Sequence, residues 1–270
     1  MPYAKMPYAF AAFKTQAEAI GIHLFYPHSA LLPWVECYWY APQDTGVVSN
    51  SELYWYPDGG TSLILQNHQQ AQQKTQPHVY LKQFFHVEKL QPEFLKNQWG
   101  IRFKPGALHY FFKLSGPIKN ILPIDMAECM VPELQMRLDQ NHLTQQALEQ
   151  VKTIDAWLFT LLERQKPLLK QNDWTSFAQN PEQLLDLKKM PTHMRRKLER
   201  QFQHYIGTSP AHLRLLQQVK LARLAIKAAP NSSLSDIALL AGFYDQAHFH
   251  RHFRQVTGQT PGQYRQRQMS

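Results

Sequence analysis

The stretch Ser233–Arg265, SLSDIALLAGFYDQAHFHRHFRQVTGQTPGQYR, constrains the fold of this chain more than any other. Its spacing predicts two short helices around a tight glycine turn. The first runs through Ile237, Ala238 and Leu240 and stops at Ala241-Gly242-Phe243. The second has Asp245 as its N-cap residue and sets Phe249 and Phe253 four residues apart, so on one face. Its other face carries Gln246, His248 and Arg251, side chains able to donate hydrogen bonds to base edges or phosphates. Helix, glycine turn and polar second helix make a helix-turn-helix, whose second helix enters the DNA major groove. A helix-Gly-helix alone says little; the basic surroundings and a partial second copy upstream give it weight.

A chain of 270 residues can hold two domains, each with its own core. Its longest apolar runs, such as Ile121-Leu122-Pro123-Ile124, fall far short of the roughly 20 residues a membrane helix needs. The opening MPYAKMPYAF lacks an apolar stretch followed by a small-residue cleavage site, so no signal peptide and a cytoplasmic location are expected. The two cysteines, Cys37 and Cys129, build neither a disulfide framework nor a four-thiolate zinc site and suit a reducing compartment as buried thiols. Charge is distributed unevenly. The last 100 residues carry 14 Lys and Arg against 6 Asp and Glu, whereas the first 170 carry 15 against 14. A neutral part joined to a basic one is the electrostatic footprint of a nucleic-acid-binding module; acidic partners or membrane surfaces would also fit, and the helix-turn-helix decides between them.

From Gly21 to Ile124 the chain is rich in aromatic and β-branched residues and punctuated by Pro and Gly. Trp34–Tyr40, Leu53–Tyr56, Thr61–Leu65, Val79–His86 and Gln98–Phe103 read as strands. Pro57-Asp58-Gly59-Gly60 reads as a turn, since Pro fixes φ and glycine accepts φ > 0. Gln66–His78, with six glutamines, reads as an exposed loop. Many short strands with turn signals suggest an all-β barrel or sandwich. After Pro123 the spacing turns helical: Pro132–Gln150 and Thr153–Gln165 are expected helices that would pack on the barrel or pair with a second subunit.

Beyond Lys166-Pro167 everything reads helical. Asn180-Pro181 starts a short helix to about Lys188. A second helix from Thr192 to Tyr205 carries Arg195, Arg196, Lys197 and Arg200 on its polar side, with Leu198 and Phe202 inside, and ends at Gly207. Ser209-Pro210 starts a longer helix to about Ala229. Two helix-turn-helix units thus flank one connecting helix. The fold class expected is α+β. A segment at 1–20 precedes an N-terminal β-barrel at 21–125, helices follow at 126–166, and an all-α domain of two helix-turn-helix units occupies 167–270.

The C-terminal 100 residues resemble the DNA-binding domain of AraC/XylS-type transcriptional regulators. The match lies in Asp236-Ile237-Ala238, Ala241-Gly242-Phe243, Asp245-Gln246, Phe249, Arg251, Phe253, Arg254, Gly258, Thr260-Pro261 and Tyr264-Arg265. Upstream, Leu198-Glu199-Arg200-Gln201-Phe202 and Ile206-Gly207-Thr208-Ser209-Pro210 resemble that family's first helix-turn-helix and its exit. Where the family usually has a small-residue turn, this chain has Leu187-Lys188-Lys189-Met190-Pro191. The N-terminal half resembles a sensor-type domain of some such regulators at Trp34-Val35, Trp39, Tyr56–Gly60 with Leu63–Leu65, and Gly100–Ala107. That resemblance implies a cupin-like barrel and no particular ligand.

Two helix-turn-helix units on one stiff helix can place their second helices in successive major-groove segments about 34 Å apart. Arg196 and Arg200, four apart, suit bidentate contacts to guanine or a phosphate clamp. Gln246 suits adenine, Ala247 a thymine methyl, and His248 and Arg251 a base edge or the backbone; the resemblance implies contacts at these positions too. Lys188, Lys189, Arg195, Lys197, Arg254 and Arg265 are the phosphate candidates, which give affinity and salt dependence. Tyr38, Trp39, Tyr40, Trp55 and Arg102 are the ligand-pocket candidates, although aromatics also simply fill cores. His248 and His252 have zinc-pair spacing, but no nearby acid or thiol completes a site, so no metal or other cofactor is expected. Asp58 with Glu52 invites an acid–base reading; the plainer account is that Asp58 sets its turn. The six barrel histidines are scattered, so a cupin-type enzyme is the weaker alternative and no catalytic residue is assigned. The expected partner is double-stranded DNA, with RNA polymerase, a small-molecule effector and a second copy of the chain as further candidates. A regulator whose N-terminal domain only dimerises or binds protein is the other alternative.

Overall fold

A computed structural model describes residues 17–18, 21–42, 53–66, 79–83, 86–90, 96, 98–112, 147–165 and 190–269. The class is mixed α+β: an antiparallel sheet region, then helices. Strands β1 (His23–Phe25), β2 (Val35–Ala41), β4 (Thr61–Gln66), β5 (Val79–Gln83) and β7 (Gln98–Phe103) form a five-stranded sheet in the order β1-β2-β7-β4-β5. A second sheet pairs β3 (Leu53–Trp55) with β6 (Glu88–Leu90). Barrel closure is not seen among the described residues. The short strands β1 and β6 escaped the sequence reading, and β5 ends at Gln83 rather than at His86.

The central strand β7 is buried at all six positions, because both faces of the sheet are covered. On one face Trp99, Ile101 and Phe103 share a core with Val35, Tyr38, Leu63 and Leu81. Helix α1 (Leu108–Phe111) supplies Leu108 and Phe111 to it, and helix α2 (Ala147–Gln165) supplies Val151, Ile154, Trp157, Leu158 and Leu162. The break expected between Gln150 and Thr153 is absent: α2 is continuous, and its apolar stripe docks on this sheet. On the other face Trp39 lies across Gly100, where a Cβ would stand 1.9 Å from the indole, and Trp55 meets Trp39 edge-on at 6.1 Å. The alternation of β2 slips at a bulge between Val35 and Cys37, so Val35 and Tyr38 share the helix side although three residues apart. Glu36 is the extra residue, and bulges commonly re-aim a side chain in this way.

The C-terminal helices are α3 (Thr192–Tyr205), α4 (Pro210–Ala228), α5 (Leu234–Leu240), α6 (Gln246–Thr257) and α7 (Pro261–Met269). The helix expected at 181–188, the segment 132–146, most of the glutamine loop (67–78) and Cys129 lie outside the described residues. Leu198, Phe202, Ile206 and Leu213 form one small core between α3 and α4. A second core joins Leu216, Val219, Ala222 and Ile226 of α4 to Ile237, Phe243, Phe249, Phe253 and Tyr264. Ser209 caps α4 by accepting from the His212 amide at 3.1 Å, with Pro210 in the first turn. No helix among the described residues is long and apolar enough to cross a membrane.

Candidate nucleic-acid interface

Helix α6 is built to show one face. Phe249 and Phe253 are fully buried, and Phe243 packs on Phe249 with ring centroids 5.1 Å apart. Asp245 caps the helix by accepting from the His248 amide at 2.6 Å. The turn before it passes through Gly242 at φ +78°, a left-handed conformation that side chains resist, and Gln218 of α4 donates to the Gly242 carbonyl at 2.5 Å. With these anchors set, Gln246, Ala247, Arg251 and Arg254 stand exposed on the opposite side. His248 is half-buried against Phe243 and His252; burial first, then His252 and Arg251, lower its pKa. Histidines 248 and 252 are neighbours, with ring centroids 4.4 Å apart, yet no group of three or more metal-ligating side chains occurs among the described residues.

In the first unit, α3 buries Leu198 and Phe202 and exposes Arg196, Lys197 and Arg200. Arg195 is half-buried, 3.9 Å from Glu199 one turn on. Lys188 and Lys189 fall outside the described residues. Arg265, the last phosphate candidate, donates from Nη2 to the Ser232 carbonyl at 2.6 Å and so ties α7 to the loop entering α5.

The five pocket candidates do not share one cavity wall. Trp39, Trp55 and Arg102 lie on one face of the sheet; the Arg102 guanidinium is 5.7 Å from the Trp55 ring centroid. Tyr38 and Tyr40 lie on the other face. Tyr40 stacks on Trp99 at 4.9 Å, and the Tyr38 hydroxyl donates to Asp155 of α2 at 2.6 Å. Burial and then Asp155 push the Tyr38 phenol far above its ordinary range.

Arg102 belongs to a cluster that sequence reasoning missed. Asp58 does set its turn, accepting from the Gly60 amide at 2.9 Å, but it is also buried and paired with Arg102. Lys220 of α4 reaches into the same place. Its ammonium lies 2.9 Å from Asp58 Oδ2 and 2.5 Å from Glu36 Oε1, the side chain that the β2 bulge re-aims. Gln217, one turn earlier, donates to the Asp58 carbonyl at 2.5 Å. Burial alone would raise the Asp58 carboxyl, but Arg102 and then Lys220 overcome it and hold it well below the usual range. Burial would lower Lys220; Asp58 and Glu36 reverse that and hold it above the usual lysine range.

The seam continues toward both helix-turn-helix units. The last carbonyls of a helix have no partner within it. Here His109 Nε2 donates to the Tyr205 carbonyl and Gln83 Nε2 to the Ile206 carbonyl, both at 2.8 Å, so the sheet region finishes the end of α3. At the second unit, the Arg223 guanidinium lies 3.5 Å from the centroid of Tyr56, and Arg267 of α7 donates to the Tyr56 hydroxyl at 2.5 Å. The only sequence signal for this seam was the run of half-polar positions Gln217, Lys220 and Arg223, three residues apart on a helix with a core of its own to fill.

Two family models match the chain: a helix-turn-helix domain over residues 193–267, and a domain of unknown function, DUF6597, over residues 23–119. No curated protein matches it. Among solved structures, the apo form of a ToxT variant from Vibrio cholerae covers 90% of this chain and 92% of its own, at 10% identity and a TM-score of 0.30. That similarity is too distant for any residue to be carried across. From the helix-turn-helix match over residues that carry the AraC/XylS pattern, the chain is an AraC/XylS-type DNA-binding transcription regulator with an N-terminal DUF6597 domain.

Proposed function

We propose that this regulator reads two adjacent major-groove segments with one chain, and that its N-terminal domain controls the reading. The observation that carries the proposal is the two-sided construction of α6: a fully buried Phe249/Phe253 face opposite an exposed Gln246, Ala247 and Arg251 face. Gln246, Ala247, His248 and Arg251 are the base-edge residues of the second unit, and Arg196 and Arg200 those of the first. Lys188, Lys189, Arg195, Lys197, Arg254 and Arg265 supply phosphate contacts.

Residues 21–125 act as the sensing domain, with the strands closing into a cupin-like barrel. Residues 126–166 dock on it, and 167–270 form the DNA-binding domain, working in the cytoplasm. Control passes through the seam, because the sheet region supplies hydrogen bonds to the end of α3 and aromatic contacts to α4 and α7. A small molecule that shifts domain docking would thereby shift operator affinity. RNA polymerase and a second copy of the chain complete the assembly at a promoter.

Selection of genomic fragments by the full chain tests the core of this reading. One enriched operator is expected, bound with steep salt dependence. Arg251→Ala should cost about 1–3 kcal/mol on that operator and relax one base position, whereas Lys197→Ala should weaken all sequences alike. Recovery of no enriched motif would overturn specific reading.

A further inference from the structure

The first turn of α6 is held more tightly than a cap alone would hold it. Gln218 of α4 fixes the Gly242 carbonyl, and Asp245 accepts from the His248 amide at 2.6 Å. Phe243 before this turn and Phe249 after it are buried in the core that they share with Ile237 of α5. The backbone carrying Gln246 therefore has one position relative to α5, and a side chain of α5 can act on Gln246 across the turn.

Ser235 is that side chain. Ser233 caps α5 by accepting from the Ser235 amide at 3.1 Å and from the Asp236 amide, which fixes the turn on which Ser235 stands. From there the Ser235 hydroxyl donates to Gln246 Oε1, 3.4 Å away and 11 residues on. Both residues are exposed, so the core does not account for the contact. A glutamine loses much rotamer freedom when it is fixed on a base, and a partner that fixes it beforehand lowers that cost. The partner also sets the direction of the amide. Oxygen and nitrogen leave the amide carbon on different sides, so holding Oε1 toward α5 turns the NH2 group away from α5. Adenine wants both halves of an amide, an acceptor for its N6 amino group and a donor for N7. Guanine offers two acceptors, O6 and N7.

We propose that Ser235 is a positioning residue for base reading: it holds back the Gln246 oxygen, so that Gln246 meets the groove with its NH2 group and selects guanine, not the adenine that an unheld glutamine suits. The inference rests on α6 being the groove-facing helix and adds which base its first residue takes. Ser235 acts through Gln246 and touches no base.

Selection from randomised duplexes by the full chain, repeated with variants, tests this. The base pair that Gln246→Ala relaxes should carry guanine in the wild-type operator. Ser235→Ala should cut the preference for guanine over adenine there about threefold to tenfold, the worth of one hydrogen bond. The other positions, the salt slope and the melting temperature should stay as in wild type, because alanine suits an exposed helix position. Ser235→Thr keeps the hydroxyl and should keep the preference. A base other than guanine at that pair, an undiminished preference in Ser235→Ala, or a preference lost equally in Ser235→Thr would each overturn the inference. So would a lowered melting temperature or a uniform weakening of all sequences in Ser235→Ala, which are the marks of a merely structural role. Failure of the underlying reading looks different. If Arg251→Ala still relaxes a base position, α6 remains the reading helix and only the Ser235 assignment falls; if neither Gln246→Ala nor Arg251→Ala relaxes any, the reading helix falls with it.

Discussion

Removing the Lys220 ammonium gives the most direct measure of what couples the two halves of the chain. Lys220→Met keeps most of the aliphatic stem and takes away the only charge that α4 lends to Asp58 and Glu36. Deleting one partner of a buried ion pair costs about 3–5 kcal/mol, because the other charge is left in a dry place. Two features reduce that here. Asp58 keeps Arg102 and the Gly60 amide, and Glu36 is 30% exposed in its side chain, so water can take over there. We therefore expect a loss of about 2–3 kcal/mol, read as a fall of about 1 M in the urea midpoint at pH 7. Hydrogen exchange locates the loss: α4 amides near Gln217 and Lys220 should exchange faster, while those of β7 should not. A cycle with Asp58→Asn should return a coupling of about 0.5–3 kcal/mol. An unchanged midpoint, or strictly additive single and double variants, would refute the argument that this cluster latches the domains.

The same cluster sets a pH window. Asp58 has a depressed pKa when folded, so its contribution is full above about pH 3.9 and is lost as pH falls through the folded value. Lys220 is raised, so its contribution is full below about pH 10.4 and is lost as pH rises through the folded value. Near-ultraviolet circular dichroism across pH should show the seam opening at both ends, and Lys220→Met should abolish only the alkaline step. Gly100→Ala places a Cβ 1.9 Å from the Trp39 ring, which is buried and cannot swing away; a loss of about 1–3 kcal/mol is expected, and an unchanged melting temperature would show that the sheet yields. Asp245→Ala removes the cap of α6 and should cost about 1 kcal/mol in stability, with weaker operator binding because the first turn holding Gln246 and Ala247 frays. Equal affinity for the operator would detach that turn from base reading.

The reading helix α6 was legible because its constraints are local. A cap three residues before the amide it satisfies, a glycine turn and two phenylalanines four apart all lie within 12 residues. The strands with alternating or aromatic-rich runs were legible for the same reason, and β1 and β6 were not, since three residues carry too little period to register. Asp58 was read only as a turn former. That is the part of its role fixed by Gly60 two residues away; its other partners stand 44 residues ahead at Arg102 and 162 ahead at Lys220. The pocket candidates divide between two faces because alternation across a strand separates Tyr38 and Tyr40 from Trp39, and only the partner elements decide which face is lined by what. Arg265 reads in the sequence as one more basic residue on a basic domain, since its bond to the Ser232 carbonyl spans 33 residues.

What distinguishes α4 from a plain connector is that it serves two cores and a seam at once. Its apolar positions Leu213, Leu216, Val219, Ala222 and Ile226 are spent on the helical domain. The positions left over, Gln217, Lys220, Arg223 and Lys227, recur every three or four residues and so line one stripe along the helix. On a domain that only needed to bind DNA, such a stripe would be solvated. Here Gln217, Lys220 and Arg223 of the stripe meet Asp58, Glu36 and Tyr56 of the sheet region. The seam combines ion pairs and hydrogen bonds with the burial of Tyr56 in the helical core, and its polar groups regain water when the surfaces part. Parting such polar contacts leaves the core of each domain in place, which is the physical property that the proposed control of the reading helices by the N-terminal domain requires.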